Sequence, residues 1–160
     1  MEDTLLGFRV EPWRRARIRR LIETEKFYLF DVGVSNHLAR RTPRIGTPEF
    51  GKSFEHYVLM ELKSYQAYVR PDLEIRYWRT SGGQEVDFVL GDMEVAVETK
   101  GSRVVHEGDL KGLRALLDEH RVRRALLVAL EEEPRKIDRR MEVLPWKRFL
   151  DDLWSGRLGV

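Results

Sequence analysis

Two acidic residues suited to metal-dependent chemistry lie in adjacent segments, EVDFVL (85–90) and EVAVETK (94–100). Alternating apolar and polar residues predict that each segment is a β-strand, with a tight turn at Gly91 and Asp92 between them. If the turn is centred on residues 92 and 93, Asp87 lies directly opposite Glu98. Their carboxylates then share one face with Cβ atoms about 5 Å apart, where like charges repel each other.

A hard divalent cation would offset that repulsion, because Mg²⁺ is held by one or two protein carboxylates together with substrate phosphate. Mn²⁺ fits the same oxygen donors. Lys100 lies two residues beyond Glu98 on the same face, where it could orient or deprotonate an attacking water and stabilise charge on phosphate. The pattern therefore favours a phosphodiester-cleaving site.

The same residues also allow a purely structural interpretation. In it, Glu85 and Lys100 form a cross-strand ion pair, and Asp87 faces solvent. Alternation along the first strand assigns Val86, Phe88 and Leu90 to the face opposite Asp87. A shift of the turn by one residue would remove the opposition of Asp87 and Glu98.

The elements around these strands predict a mixed α/β sandwich, in which helices flank a central sheet. Apolar residues at three- and four-residue spacing predict a helix over 49–68, and its Phe54 and Val58 face the core beside Glu55. The remaining predictions are a strand leading into a short helix in KFYLFDVGVSNHL, strands at 73–80 and 123–130, a helix at 107–120, and a C-terminal strand followed by a helix that Pro145 opens.

The segment GTPEFGKS (46–53) fits the spacing of a phosphate-binding loop, which raises the alternative of a nucleotide-binding protein. Two residues argue against it: Pro48 lacks a backbone N–H, and Glu49 would repel phosphate. Thr47 as the N-cap of a helix, with Pro48 in its first turn, is the interpretation that the residue types favour.

Composition limits the classes of protein that remain. The 160 residues allow one domain, and the absence of cysteine excludes disulfides, a thiol nucleophile and cysteine-ligated metal. No apolar run reaches membrane-spanning length and no secretory signal is recognisable, so we expect a cytoplasmic protein with no membrane partner. The net charge is only +2, but five arginines cluster in WRRARIRR (13–20), which favours a nucleic-acid partner. A solvated, salt-bridged surface is the alternative.

A hairpin with Asp87 on its first strand and Glu98-x-Lys100 on its second, preceded by a helix that carries Glu55, resembles the PD-(D/E)XK nuclease superfamily, which has the restriction-endonuclease-like fold. The chain looks closest to the nuclease-like domain at the C-terminus of many prokaryotic AAA-type ATPases. The matching segments are EDTLLGFRVEPW, KFYLFDVGVSNHL, GKSFEHYVLMEL, YWRTSGGQEVDFVL, VAVETKGS, DLKGLRAL and LPWKRFLDDL. They cover nearly the whole chain in the same order, without the ATPase module.

The resemblance implies a three-layer sandwich of helix, three strands, helix and strand, with a core at about 47–155 and an N-terminal family extension at 1–27. It implies catalytic roles for Glu55, Asp87, Glu98 and Lys100. The metal ligands would be Asp87, Glu98, the Thr99 carbonyl and Glu55. Independently of the family, Arg79 and Arg103 flank the ends of the two strands, where they could contact a nucleic-acid backbone.

Three functions follow as hypotheses. The first is a Mg²⁺- or Mn²⁺-dependent nuclease acting on DNA. The second is a non-catalytic nuclease-like module that binds DNA or a protein, with a separately encoded AAA-type ATPase as a candidate partner. The third is the nucleotide-binding protein based on GTPEFGKS. The sequence leaves homo-oligomerisation open.

Overall fold

The structure, a computed structural model, describes residues 6–14 and 24–160. Secondary structure in these ranges comprises eight strands, four α-helices and one short 3-10 helix. In chain order they are β1 Gly7–Val10, β2 Lys26–Leu29, α1 Val32–Leu38, α2 Pro48–Tyr68, β3 Ile75–Arg79, β4 Glu85–Leu90, β5 Val95–Lys100, the 3-10 helix Glu107–Leu110, α3 Lys111–Glu119, β6 Arg124–Ala129, β7 Arg135–Lys136, β8 Met141–Pro145 and α4 Trp146–Trp154.

Most predicted elements are confirmed within one or two residues. The predicted helix over 107–120 is present as the 3-10 helix followed by α3, and Pro145 directly precedes α4 as its N-cap residue. Two strands, β1 and β7, were not predicted, because each is short and lacks a clear alternation of apolar residues. Residues 15–20 of the arginine cluster lie outside the described ranges.

The segment GTPEFGKS forms the start of α2. The Phe50 N–H donates to Thr47 Oγ1 at 3.3 Å, so Thr47 is the N-cap, and Pro48 occupies the first turn as predicted. Residues 48–53 are therefore helical and do not form the loop that precedes the helix in phosphate-binding proteins of this pattern. The nucleotide-binding hypothesis has no support from this geometry.

The main sheet is mixed and has six strands in the order β3-β4-β5-β6-β8-β7. Strands β3, β4 and β5 are antiparallel neighbours, whereas β5, β6 and β8 run parallel. Strand β6 reads RALLVA and is buried over its last five residues, as expected for a parallel strand covered on both faces. The fold class is a mixed α/β sheet flanked by helices.

Helices cover both faces of this sheet. On one face, which we term the α2 face, Val58, Leu62 and Phe149 from α2 and α4 pack in a cluster with Phe88 and Val97 of the sheet. On the other, the α3 face, a second cluster joins residues of α3 and the sheet: Leu113, Leu116, Val86, Ala96 and Leu127. This burial on both faces fixes the register of the central strands.

Strands β1 and β2 form a separate antiparallel pair, which we term the ribbon. Backbone hydrogen bonds beside the ribbon connect it to β3: the Trp13 N–H donates to the Tyr77 carbonyl at 2.6 Å, and the Tyr77 N–H donates to the Glu11 carbonyl at 3.0 Å. The Tyr77 hydroxyl also donates to the Thr24 carbonyl at 2.9 Å. The ribbon is thereby held close to the edge of the main sheet. No helix in the described part of the chain is long and apolar enough to cross a membrane.

Candidate active site

Strands β4 and β5 separate where the two predicted acidic residues lie. Their pairs are Phe88 with Val97, Val89 with Ala96 and Leu90 with Val95, which is the predicted register with a turn centred on residues 92 and 93. The ladder ends at Phe88 and Val97, although both strands continue for three residues. Asp87 and Glu98 are the next residues on each strand. We term this opening between β4 and β5 the fork.

A β-bulge in β4 accompanies the fork. Arg76 of β3 pairs with Val89 of β4, and Trp78 pairs with Val86. The two residues are two positions apart on β3 but their partners are three positions apart on β4, so β4 contains one extra residue. As a result Val86 packs in the α3-face cluster, while Phe88 packs in the α2-face cluster. The prediction that Val86, Phe88 and Leu90 share one face was therefore wrong for Val86. Bulges re-aim side chains near functional sites, and this one falls beside Asp87.

Side chains replace the missing ladder bonds at the fork. The Thr99 N–H and the Thr99 hydroxyl both donate to Asp87 Oδ2, at 2.8 and 2.6 Å. In the opposite direction, the Asp87 backbone N–H lies near enough to the Glu98 carboxylate to lower its pKa, although burial and the Asp87 charge outweigh this effect. The two acidic residues are thus close together as predicted, though not as a pair of the ladder.

The environment of Asp87 favours its protonated form. Burial, followed by the nearby Glu55 carboxylate, raises the pKa of Asp87 to about 7, although the Lys26 ammonium and the two Thr99 hydrogen bonds oppose this. The side chain is 13% exposed. An ionised Asp87 is consequently unfavourable in the absence of further positive charge.

Glu98 is in a still less favourable environment. Burial and the Asp87 charge raise its pKa well above the usual range of a glutamate. Its Oε2 atom is buried and has no hydrogen-bond partner among the described residues. A buried acceptor without a partner usually costs about 1–3 kcal/mol, so this oxygen is a candidate contact for a bound cation or substrate group.

Close contact between α2 and the end of β5 positions Glu55 near the fork. A Cβ atom added to Gly101 would lie 2.8 Å from Phe50 Cδ1 and 3.1 Å from the Gly51 Cα, so two glycines meet where larger residues would separate the elements. Glu55 follows one turn after Gly51 on α2. Its neighbours Phe54 and Val58 are buried as predicted, 6% and 1% exposed.

The ribbon contributes two residues that the sequence analysis missed. Lys26 Nζ lies 3.1 Å from Glu55 Oε1 and 3.7 Å from Asp87 Oδ1, and it also contacts Glu85 Oε1. The Tyr28 hydroxyl donates to Glu55 Oε1. Residues 26 and 28 share one face of a strand, so their spacing was compatible with one site. No local pattern connected them to residues 55–98.

The carboxylates keep Lys26 charged and Tyr28 neutral. Burial alone would lower the pKa of Lys26, but Glu55, Asp87 and Glu85 outweigh it and raise this pKa above its usual range. Burial and then the Glu55 charge raise the pKa of Tyr28. The site therefore contains the carboxyl groups of Glu55, Glu85, Asp87 and Glu98 beside one partly buried ammonium group, and it remains acidic.

Lys100 pairs with an acidic residue outside this group. Its Nζ lies 2.6 Å from Asp109 Oδ1, on the 3-10 helix before α3, and its side chain is 45% exposed. Glu85 instead contacts Lys26 and lies 3.6 Å from Arg79 Nε. The ion pair between Glu85 and Lys100, the structural alternative drawn from the sequence, is therefore wrong, and Asp87 is not solvent-facing.

The other predicted site residues lie around the fork. Arg79 is 56% exposed and pairs with Glu85, and Arg103 is also exposed. Thr99 contacts Asp87 through its N–H and hydroxyl, while the role of its carbonyl as a metal ligand stays a prediction.

The donors at the fork fit a hard divalent cation. Asp87, Glu98 and Glu55 offer the carboxylate oxygens that Mg²⁺ and Mn²⁺ prefer, and Glu98 Oε2, which no described residue contacts by a hydrogen bond, is an available ligand atom. Nevertheless, no three histidine, aspartate or glutamate side chains in residues 6–14 and 24–160 are arranged to hold one ion together. One physical reason for the lack of such an arrangement is that the Lys26 ammonium group lies between the carboxylates of Glu55 and Asp87.

Comparison with known proteins identifies a family without assigning an activity. Residues 50–149 match the family described as "Domain of unknown function (DUF4143)". No curated protein and no solved structure matches the chain. The matched range includes Glu55, Asp87, Glu98 and Lys100, whereas Lys26 and Tyr28 precede it. Because the match covers more than half of the sequence, the chain belongs to the DUF4143 family.

Proposed function

We propose that this protein is a restriction-endonuclease-like phosphodiester hydrolase that requires Mg²⁺ or Mn²⁺ and acts on DNA. The observation that carries the proposal is Glu98 Oε2, which is buried beside Asp87 at the fork and has no hydrogen-bond partner in the part of the chain that the structure describes. Two buried carboxyl groups with raised pKa values cost folding free energy, and a site that binds a cation gives a reason for that cost.

Each residue of the site has a distinct role in this proposal. Asp87 and Glu98 would hold the cation, with Glu55 and the Thr99 carbonyl completing the set directly or through water. Thr99 fixes the orientation of the Asp87 carboxylate through two hydrogen bonds. When bound, the cation would neutralise charge on a phosphate and favour ionisation of a coordinated water.

Lys100 would orient the attacking water and donate to the scissile phosphate. In the structure its ammonium group is bound to Asp109 and is half-exposed, so substrate phosphate would have to replace Asp109 as its partner. Phosphate and carboxylate are comparable acceptors for an ammonium group, which makes this exchange chemically feasible. Arg79 and Arg103 are exposed and would contact the DNA backbone beyond the site.

The test is DNA cleavage by the purified protein with and without Mg²⁺ or Mn²⁺, on single-stranded, double-stranded and branched substrates. The proposal predicts metal-dependent cleavage that Asp87→Asn, Glu98→Gln and Lys100→Ala each abolish while the proteins remain folded. Glu94→Gln, in the turn between the same strands, is the matched control and should cleave as the unmodified protein does. Intact substrate with every DNA form and both metals would contradict the proposal.

A non-catalytic nuclease-like module is the second candidate. It is favoured by two ion pairs, since Lys26 already neutralises part of the acidic group and Lys100 is engaged by Asp109. Such a module would bind DNA or a protein, for example a separately encoded AAA-type ATPase, without a metal. DNA binding that persists in Glu98→Gln and Lys100→Ala, together with no cleavage, is its expected result.

A further inference from the structure

Lys26 takes the position that a bound cation would be expected to take. Within residues 6–14 and 24–160, the ion pairs of Glu55 and Asp87 both go to its ammonium group. Glu85 contacts the same nitrogen. Three carboxylates from α2 and β4 thus converge on one ammonium group that comes from the ribbon.

Both Lys26 and Glu55 are held in place by further contacts. The Lys26 ammonium lies 5.3 Å from the centre of the Tyr77 ring, a cation–π contact that adds to the three ion pairs. The side chain is only 21% exposed. Glu55 is held a second time by the Tyr28 hydroxyl, two residues along the same strand. The ribbon therefore orients a carboxylate of the site as well as neutralising it.

A divalent cation and this ammonium group compete for the same oxygens. Each of them stabilises the carboxylates by charge, and two cations sharing Glu55 and Asp87 would repel each other strongly in a partly buried site. We propose that Lys26 is the resident cation of the site, and that its ammonium group and a divalent metal ion are alternative partners of Glu55 and Asp87. This inference rests on the proposed function for the location of the metal, and it adds that the ribbon sets the metal affinity.

The inference explains two features together. Without metal, Lys26 limits the repulsion among the carboxylates, so the protein folds with an acidic site. With metal, Lys26 must leave Glu55 and Asp87, and Glu85 at the edge of the site remains available to it. Removal of the Lys26 charge should therefore have opposite effects: it should destabilise the metal-free protein and strengthen metal binding.

Titration calorimetry with Mn²⁺ alone, together with thermal melting at one neutral pH, tests this prediction in the full chain. Lys26→Met should bind Mn²⁺ about tenfold more tightly than the unmodified protein, or better, because a repelling positive charge is removed. Its melting temperature should fall without metal and recover with Mn²⁺ by more than that of the unmodified protein. Lys26→Arg keeps the charge and should leave the Mn²⁺ affinity within about threefold.

Lys63→Met is the matched control. Lys63 lies on α2 over the Phe8 ring of β1 and donates to Gln66, so the same chemical change is made next to the ribbon but away from Glu55 and Asp87. It should leave the Mn²⁺ affinity unchanged. If Lys26→Met does not fold, Lys26→Gln replaces it in the same comparison. The glutamine removes the charge but retains a hydrogen-bond donor for Glu55.

Equal or weaker Mn²⁺ binding by the charge-removing variants overturns the inference, as does the absence of Mn²⁺ binding in all proteins. The outcome for the proposed function is separate. If Lys26→Met binds Mn²⁺ more tightly and neither protein cleaves DNA, the inference on Lys26 holds and the nuclease proposal fails.

Discussion

Thr99 donates two hydrogen bonds to a single oxygen of Asp87: its backbone N–H lies 2.8 Å, and its hydroxyl 2.6 Å, from Asp87 Oδ2. This contact joins β4 to β5 beyond the last pair of the ladder. It leaves Asp87 Oδ1 on the side of Lys26, at 3.7 Å from the ammonium nitrogen. One oxygen of Asp87 thus holds the sheet together, and the other faces the site.

Replacing Thr99 with valine should weaken metal binding. Valine has nearly the same shape but no hydroxyl, so Asp87 Oδ2 keeps only the backbone donor, and the loss of a hydrogen bond to a charged group typically costs about 1.5–3 kcal/mol. Calorimetry should show Mn²⁺ affinity lowered by roughly tenfold or more. Thr99→Ser keeps the hydroxyl and should bind Mn²⁺ normally. Unchanged affinity in Thr99→Val would remove the role we assign to this contact.

Glu98→Gln should make the metal-free protein more stable. The change removes a carboxyl group whose pKa is raised by burial and by the Asp87 charge, and the amide keeps an oxygen toward the Asp87 N–H. We expect the free energy of unfolding at neutral pH to rise, because folding no longer has to bury an ionised glutamate or protonate it. Chemical denaturation without metal measures this effect. Glu94→Gln is the control, and a loss of stability in Glu98→Gln would show that the Glu98 charge is compensated in the folded protein.

Stability without metal should decrease as the pH rises through the acidic range. Because the pKa of Asp87 is raised from 3.8 to about 7 in the folded protein, the folded state binds this proton more tightly than the unfolded state. The resulting stabilisation is complete below about pH 4 and is lost between about pH 4 and pH 7, with an upper limit of a few kcal/mol. The raised pKa of Glu98 acts in the same direction.

Other groups titrate in the same pH range. The contribution of Asp87 is therefore measured as the difference in melting temperature between a variant that lacks this carboxyl group and the unmodified protein. Partial burial would raise the pKa of Asp109, but its hydrogen bonds and its ion pair with Lys100 together lower it, which makes the protein less stable at low pH. Asp87→Asn removes the Asp87 contribution, together with the effect of the Asp87 charge on the pKa of Glu98. Its melting temperature relative to the unmodified protein should increase from about pH 4 to about pH 8, and saturating Mn²⁺ should reduce this difference. A constant difference would contradict the raised pKa.

The sequence predicted well those features that depend on neighbouring residues. Helix α2 follows from apolar residues at three- and four-residue spacing, and the register of β4 and β5 follows from two alternating segments around one short turn. This register alone predicted that Asp87 lies next to Glu98. The bulge at Asp87 was not predictable, since Val86 is apolar and alternates correctly with Phe88 although the two pack on opposite faces.

The features that the sequence did not predict depend on long-range contacts. Lys26 meets Asp87 across 61 residues, and nothing in KFYLFD indicates that its lysine will be buried among carboxylates. The partner of Lys100 was missed for a related reason. A bend after β5 brings Asp109 back toward Lys100, whereas a regular antiparallel pair would have brought Glu85. Both features are ion pairs, and a periodic pattern in the sequence does not specify which residues form an ion pair.

Releasing Lys100 from Asp109 should change catalysis more than folding. Asp109 holds the Lys100 ammonium at 2.6 Å and also accepts from the His106 N–H at 2.9 Å. Asp109→Asn keeps an oxygen for His106 but removes the charge that attracts Lys100. Since the ion pair is partly exposed, we expect a loss of stability of about 1 kcal/mol or less.

In a cleavage assay, Asp109→Asn should lower the KM for DNA, because substrate phosphate no longer competes with a carboxylate for Lys100. Lys100→Ala should instead lower kcat. Arg114→Ala serves as the control, since Arg114 pairs with Glu107 on the same 3-10 helix without contacting Lys100. A KM that does not fall in Asp109→Asn would show that Lys100 does not reach the substrate phosphate.

A methyl group at Gly101 should separate the helix that carries Glu55 from the fork. The Cβ of Gly101→Ala would lie 2.8 Å from Phe50 Cδ1 and 3.1 Å from the Gly51 Cα, so the first turns of α2 must move away from β5. Overpacking of this kind costs about 1–3 kcal/mol. Because Glu55 lies one turn beyond Gly51, the same movement should weaken its contacts with Lys26 and Tyr28.

Denaturation and Mn²⁺ titration of Gly101→Ala should show lower stability together with lower metal affinity. Gly108→Ala is the control, since an added Cβ there meets no atom within 4 Å. Equal stability and Mn²⁺ affinity in the two variants would mean that the approach of α2 to β5 does not position the site.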